Sequence, residues 1–197
     1  MNLRQVIIYQ VIILLAQVIL YFGCEKFQKT PKNVDLPIDK RIPVIPLFTL
    51  IYILWFPLIA LFPISLFNAS PNLYKIYILA WILDITISIV IYMVYPTTCT
   101  RPTNLRSLEG GWMLKIIYSC SYKGVNCAPS LHCSISTLVV IAAVLCTSMS
   151  MILRVVYSVI AFGIIISTMF TKQHVVVDVV TGVLLGIVTF VIAFIII

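Results

Sequence analysis

The sequence predicts an all-α, polytopic membrane protein, a single bundle of six transmembrane helices. Three observations carry that reading. Of 197 residues, 62% are apolar and only 10% are charged, against roughly 45–50% and about 25% in a soluble domain. The mean hydropathy of +1.14 excludes a soluble globular protein, a disordered chain, a coiled coil and a collagen. The apolar residues also fall into six runs near the about 20 residues that a helix needs to cross a bilayer core. Open sheet edges are not tolerated in lipid, so the spans are helices.

The first span runs from about Val6 to Gly23. Arg4 is the one basic residue before it, and Tyr21-Phe22-Gly23 is a poor match to a small-residue cleavage site, so the segment reads as a retained anchor. A polar stretch from Cys24 to about Ile42 carries Pro31, Pro37 and five basic residues. The second span runs from about Ile45 to Phe67, with kinks expected at Pro57 and Pro63. A turn over Asn68 to Asn72, with Pro71, leads to the third span, about Tyr74 to Tyr95. The longest polar segment, Pro96 to Ser130, contains Trp112 to Tyr118, which is too short to cross and reads as interfacial. The fourth span is placed at about His132 to Ser148 and the fifth at about Met151 to Phe170. The polar knot Thr171-Lys172-Gln173-His174 separates the fifth from the sixth, about Val175 to Ile197. There is no internal repeat and no soluble domain, so residues 1–197 read as one integral membrane domain.

The net charge is +7, without a basic run of the length that a nucleic-acid patch needs. Contact with anionic lipid head groups is the simpler account. The set Lys26, Lys29, Lys32, Lys40 and Arg41 reads as a solvated, lipid-facing loop. Six spans put both termini on one side and the gaps after spans one, three and five on the other. That other side holds ten of the 13 basic residues, and the positive-inside rule would place it in the cytoplasm. The six cysteines include no CxxC pair, so no zinc site is expected. Cys99, Cys120, Cys127 and Cys133 lie in or beside the long loop, as free thiols or as a disulfide.

The chemistry sits in the rare polar residues. His132 and His174 are the only histidines. They begin the fourth and sixth spans, after gaps on the same membrane face. Asp178 follows His174 at i+4, on one helix face and within reach of the imidazole. An Asp that accepts from one ring nitrogen fixes the tautomer and raises the basicity of the other. His174 is then a nucleophile for phosphorus, and His132 an acid for the leaving oxygen. Arg101, Lys172, the Ser130 hydroxyl and the helix start behind Pro129-Ser130 offer donors for the developing charge. The bland alternatives are a structural His–Asp hydrogen bond and a simple helix cap. Against them stands the cost of an ionisable residue in a span, roughly 2.5–3.5 kcal/mol on the insertion scale. Asp84, mid-span with Ser88 one turn on, reads as a structural hydrogen bond or as a polar path or substrate contact; Trp55 and Trp81 read as packing or interface residues.

These residues carry a resemblance. Asn126-Cys127-Ala128-Pro129-Ser130-Leu131-His132 resembles the middle motif of the type-2 phosphatidic acid phosphatase superfamily, usually P-S-G-H. Ser167, His174 and Asp178 are similar, at matching spacing, to its last motif, S-R-x5-H-x3-D. Arg101-Pro102 resembles the end of its first, K-x6-R-P. The three stand in family order, and the resemblance covers about residues 45 to 190 as a catalytic core. Val94 stands at the first motif's Lys, Thr168 at the last motif's Arg, and Leu131 at the Gly. The P-S-L-H form and the two absent cations look more like the inositol phosphorylceramide synthase branch, whose members move a head group between lipids.

The resemblance implies an integral membrane enzyme, multi-pass in the cell membrane, that cleaves a lipid phosphate ester through phosphohistidine. His174 would be the nucleophile, Asp178 its partner and His132 the acid and base. It implies no metal and no organic cofactor, and as partner a membrane phospholipid or polyprenyl phosphate. Many relatives place the site outside or in a lumen, against the count of basic residues. Release of phosphate competes with head-group transfer. A non-catalytic lipid-binding relative is a further reading, and a channel has weaker support.

Overall fold

The computed structural model describes residues 2–121 and 123–197. Short polar side chains set most helix starts. Asn2, Ser70, Ser130 and Ser150 cap α1 (Leu3–Glu25), α4 (Pro71–Val94), α6 (Leu131–Leu145) and α7 (Met151–Phe170). Each accepts a backbone N–H three residues on, satisfying a donor that the helix leaves open. The last helix, α8 (Val176–Ile196), is capped by two aspartates instead. Asp178 Oδ2 accepts from Val175 N–H and Asp39 Oδ1 from Val176 N–H, both at 2.9 Å.

The second apolar run is not one continuous helix. A single 3-10 turn at Pro46–Phe48 and the short α2 (Thr49–Tyr52) are followed by a turn and then by α3 (Trp55–Ala69). The break falls at Ile53 and Leu54, one turn before Pro57. Pro57 has no N–H to offer the Ile53 carbonyl, and its ring takes the space of that bond. Pro63 lies within α3 without ending it.

Five helical segments are long and apolar enough to cross a membrane: Leu3–Glu25, Pro46–Ala69, Pro71–Val94, Met151–Phe170 and Val176–Ile196. The expected fourth span, His132 to Ser148, is instead the 15-residue α6. At 1.5 Å per residue that is about 22 Å, short of the about 30 Å of a hydrocarbon core. Arg154 closes it early, donating to the carbonyls of Ala143 at 2.9 Å and Val144 at 2.5 Å. The expected interfacial segment is the short α5 (Gly111–Cys120), with Leu114 and Ile117 packed on Tyr52. The remaining regular structure is minimal: β1 (Lys32–Asn33) pairs in parallel with β2 (Thr97–Thr98).

α6 is the centre of the bundle, in contact with α3, α4, α7 and α8. Its short side chains admit α8 closely. A Cβ on Gly182 would stand 2.6 Å from the Ser130 carbonyl oxygen, and one on Gly186 2.5 Å from that of Ser134. Gly182 and Gly186 form the small-xxx-small spacing that lets helix backbones meet in lipid. Against the other side, α4 supplies the large buried side chains Tyr77, Trp81 and Tyr92. α1 docks by one stripe, Val6, Gln10, Ile13 and Gln17. Gln10 donates to the Ile59 carbonyl at 2.8 Å, and Gln17 accepts from the Trp81 indole at 2.9 Å.

Alanine at Gly182 or Gly186 must push α8 off α6, an overpacking cost of about 1–3 kcal/mol. Thermal unfolding in detergent is expected to fall by about 2–4 °C per kcal/mol. Gly23→Ala, with nothing within 4 Å of the new methyl, serves as the neutral control. Equal melting of all three variants would contradict the close approach. Asp39→Ala, which uncaps α8, is expected to cost about 1 kcal/mol, with Asp39→Asn recovering most of it in the same assay.

Candidate active site

The end of α7 places His174. Lys172 takes the left-handed conformation, φ 51°, and turns the chain so that Gln173 and His174 both donate their N–H to the Thr168 carbonyl at 3.1 Å. This is a helix C-terminus closed by a left-handed residue. α5 braces the turn, the Tyr118 hydroxyl donating to the Thr171 carbonyl at 2.7 Å. His174 is buried, and its Nδ1 lies 3.1 Å from the Cys127 carbonyl oxygen and 3.3 Å from Asp178 Oδ2. Both partners only accept, so Nδ1 carries the proton and Nε2 presents its lone pair. Asp178 is fully buried, and its Oδ1 has no partner.

The start of α6 places His132. Tyr92 donates to the Pro129 carbonyl at 2.5 Å, and Thr97 Oγ1 accepts from Ala128 N–H at 2.8 Å, which pins the approach to the helix. Ser130 ties the two halves together. Its N–H donates to the Asp178 carbonyl at 3.1 Å, while its hydroxyl accepts from Cys133 N–H at 3.3 Å. The His132 ring stacks on Tyr52 at 4.6 Å and packs on Trp55 at 4.4 Å, centroid to centroid. The two imidazole centroids are 5.7 Å apart. The expected meeting of the histidines is therefore present in the fold.

Arg101 reaches the same region from the loop after α4. It donates to the Ser121 carbonyl at 2.6 Å, the Ser121 hydroxyl at 3.0 Å and Gln173 Oε1 at 2.8 Å. Its guanidinium lies 4.8 Å from the Tyr118 ring centre. Gly124 sits against it, where a Cβ would come within 3.4 Å of Cζ. Lys172 points elsewhere: its ammonium donates to the Asp39 carbonyl at 2.6 Å. Burial lowers its pKa, opposed by the charges of Asp39 and Asp35. Arg101 and Lys172 line a cleft of about 270 Å³ that also includes Asp35, Asp39 and Lys40.

The two positions without a cation differ. Val94 ends α4 and is 79% exposed. Thr168 is buried, its hydroxyl donating to the Ile165 carbonyl at 2.7 Å. Asp84 is fully buried and accepts from the Ser134 hydroxyl at 2.6 Å, while its Oδ1 and the Ser88 hydroxyl have no partner. Sequence reasoning missed Ser121, Gln173 and Asp39 as partners of the site, and Tyr52 and Trp55 as the walls of His132. Gln173 had one visible signal, its place in the polar knot beside His174.

The six cysteines are free. Cys99, Cys127 and Asp178 bring one ligand-type atom each within 4.8 Å of one another, the one such cluster among the described residues. Cys99 lies 3.6 Å from the Gln173 carbonyl and Cys127 3.7 Å from that of Gly124, as weak S–H donors. The Cys99 contact and burial push the Cys127 thiol well above its ordinary pKa.

Residues 34–192, which hold every group described above, match a family model described as the PAP2 superfamily. No curated protein and no solved structure matches the chain significantly. With three motifs in family order and a match over most of its length, the chain belongs to the PAP2 superfamily, whose members are in general lipid phosphatases and phosphotransferases.

Proposed function

We propose that this protein is an integral membrane enzyme that cleaves a lipid phosphate ester through a phosphohistidine on His174. The observation that carries the reading is the pair of acceptors on His174 Nδ1, which leaves Nε2 as the nucleophilic nitrogen. The catalytic core is residues 45–190, within a helical bundle centred on the short α6.

In the first step Nε2 attacks phosphorus, an N–P bond forms and the ester P–O bond breaks. The leaving oxygen takes a proton from His132. Imidazole centroids 5.7 Å apart suit two nitrogens flanking one phosphorus at an attack distance of about 3–3.5 Å. Tyr52 and Trp55 pack on the His132 ring and hold its orientation. Asp178 balances the charge that grows on His174, and Arg101 and the Ser130 end of α6 face the phosphoryl oxygens. In the second step His132 takes a proton from the incoming hydroxyl as its oxygen attacks phosphorus and the N–P bond breaks. The proposed step draws its nucleophile, proton and counter-charge from the chain and calls on no metal or organic cofactor. The substrate is a phospholipid or a polyprenyl phosphate or pyrophosphate, and water as the second nucleophile releases phosphate.

A second reading, transfer of the head group to an acceptor lipid, is favoured by one observation. Thr168 and Val94 bring no charge to the site, and a monoanionic diester needs less counter-charge than a dianionic monoester.

His174→Ala is expected to abolish turnover and acid-labile labelling of the protein, and EDTA to change neither. His132→Ala is expected to lower the rate about 10²- to 10⁴-fold. Full activity of His174→Ala would end the mechanism. Thin-layer chromatography of liposome assays with phosphatidate, polyprenyl pyrophosphate, and phosphatidylinositol plus an acceptor lipid separates the two readings. Free phosphate marks the hydrolase and a new phosphodiester lipid the transferase.

A further inference from the structure

Three N–H donors beside the two histidines are buried and have no acceptor among the described residues: Nε of Arg101, Nε2 of Gln173 and Nε1 of Trp55. A buried donor left unpaired costs about 1–3 kcal/mol, so three on residues tied to His174 and His132 by sequence, hydrogen bond or ring packing call for acceptors from outside. Each is held in place by contacts that spare the free N–H. Gln173 precedes the nucleophile, and its Oε1 is fixed by Arg101 at 2.8 Å and the Ser121 hydroxyl at 3.2 Å. That orients the amide and leaves Nε2 unspent. Arg101 is clamped by Tyr118 and Gly124, with both terminal nitrogens in use. Trp55 packs its indole on His132.

Only one of the three donors carries charge. Lys172 donates to the Asp39 carbonyl, and Thr168 and Val94 are neutral. We propose that Arg101, Gln173 and Trp55 form a cradle for the free oxygens of a phosphodiester monoanion, and that the neutral Gln173 sets this preference over a monoester dianion. The proposal rests on the reading of His174 and His132 as the reacting pair for its location. It assigns to Gln173 a role in substrate selection and to Trp55 a role in binding.

Binding is measured without turnover, in His174→Ala protein reconstituted in nanodiscs at pH 8. The probes are phosphatidylmethanol, a diester monoanion, and phosphatidate with the same acyl chains, a monoester that can take a second negative charge. Phosphatidylmethanol is expected to bind more tightly. Adding Gln173→Glu keeps the acceptor that Arg101 and Ser121 use but removes the donor and cancels the charge. It is expected to weaken phosphatidylmethanol at least tenfold. Gln173→Arg is expected to reverse the preference, and Trp55→Phe to weaken both lipids severalfold. Melting temperatures close to the parent's show that each variant is folded. Tighter or equal binding of phosphatidate by the parent, or unchanged binding of phosphatidylmethanol by Gln173→Glu, would overturn the proposal. Absence of labelling in the wild type, with these affinities intact, would end the phosphohistidine reaction and leave the cradle standing.

Discussion

α8 meets α6 where Gly182 lies against the Ser130 carbonyl and Gly186 against that of Ser134, an approach with no room for a Cβ. In lipid the hydrophobic effect gives helices little reason to associate, and close packing has to supply the affinity. The sequence answers with small residues on both sides: two glycines on α8, and Ser130, Cys133, Ser134 and Thr137 on α6. The consequence is a register. With the backbones this close, Ser130 N–H reaches the Asp178 carbonyl, and the first turns of the two helices stand level. His132 is the second residue of α6, and His174 ends the turn that leads into α8. Their proximity is thus set by the helix contact, far more than by any bond between the rings.

The polar groups above and below that contact belong to the same column. Asp178 accepts from His174 and caps α8 with one oxygen. Asp39 caps the next N–H and accepts the Lys172 ammonium on its carbonyl. The loop after α1 is therefore stitched to the start of α8 by hydrogen bonds as well as by Val34 packed on the cluster that holds Val175. One turn into α6, Ser134 donates to the buried Asp84. Ser130 and Ser134 share one face of α6, so the helix that carries His132 is gripped at two successive turns, by α8 and by α4. Such a grip restricts the rotation of α6 about its axis, which is the motion that would turn His132 away from His174.

How much of this was legible in the sequence follows from what each signal measures. Hydropathy reports apolarity, and it located the five long helices because lipid and core both demand it. It drew the fourth run longer than the helix, because α6 is apolar as the centre of the protein, where 15 residues are enough to meet its neighbours. It also ran through Ile53 and Leu54, since a turn beside a proline is as apolar as the helices around it. His132, His174, Asp178 and Arg101 stood out because charged and imidazole groups are rare in such a chain and their spacing is periodic. Gln173, Ser121, Asp39, Tyr52 and Trp55 did not, because each matters for what it touches across gaps of many residues. The absent cations were visible as substitutions. Only the fold shows that they differ, Val94 being turned outward and Thr168 buried in the core.

The charge count at the site is a stronger constraint than either motif. The hydrogen-bonded unit of His174 and Asp178 brings a carboxyl group to the site. Arg101 brings a guanidinium, and the other nearby cation is turned to a backbone carbonyl. A dianion placed there meets one guanidinium already in the presence of a carboxylate. The uncompensated charge would lie among buried groups, where the effective penalty is several kcal/mol per ion. A monoanion leaves a smaller residue of charge, which neutral N–H dipoles solvate without adding a counter-ion. Neutral donors have a further consequence for catalysis. They stabilise oxygens without holding a dianionic product, so a site built this way binds the charge of the transition state while releasing what it forms.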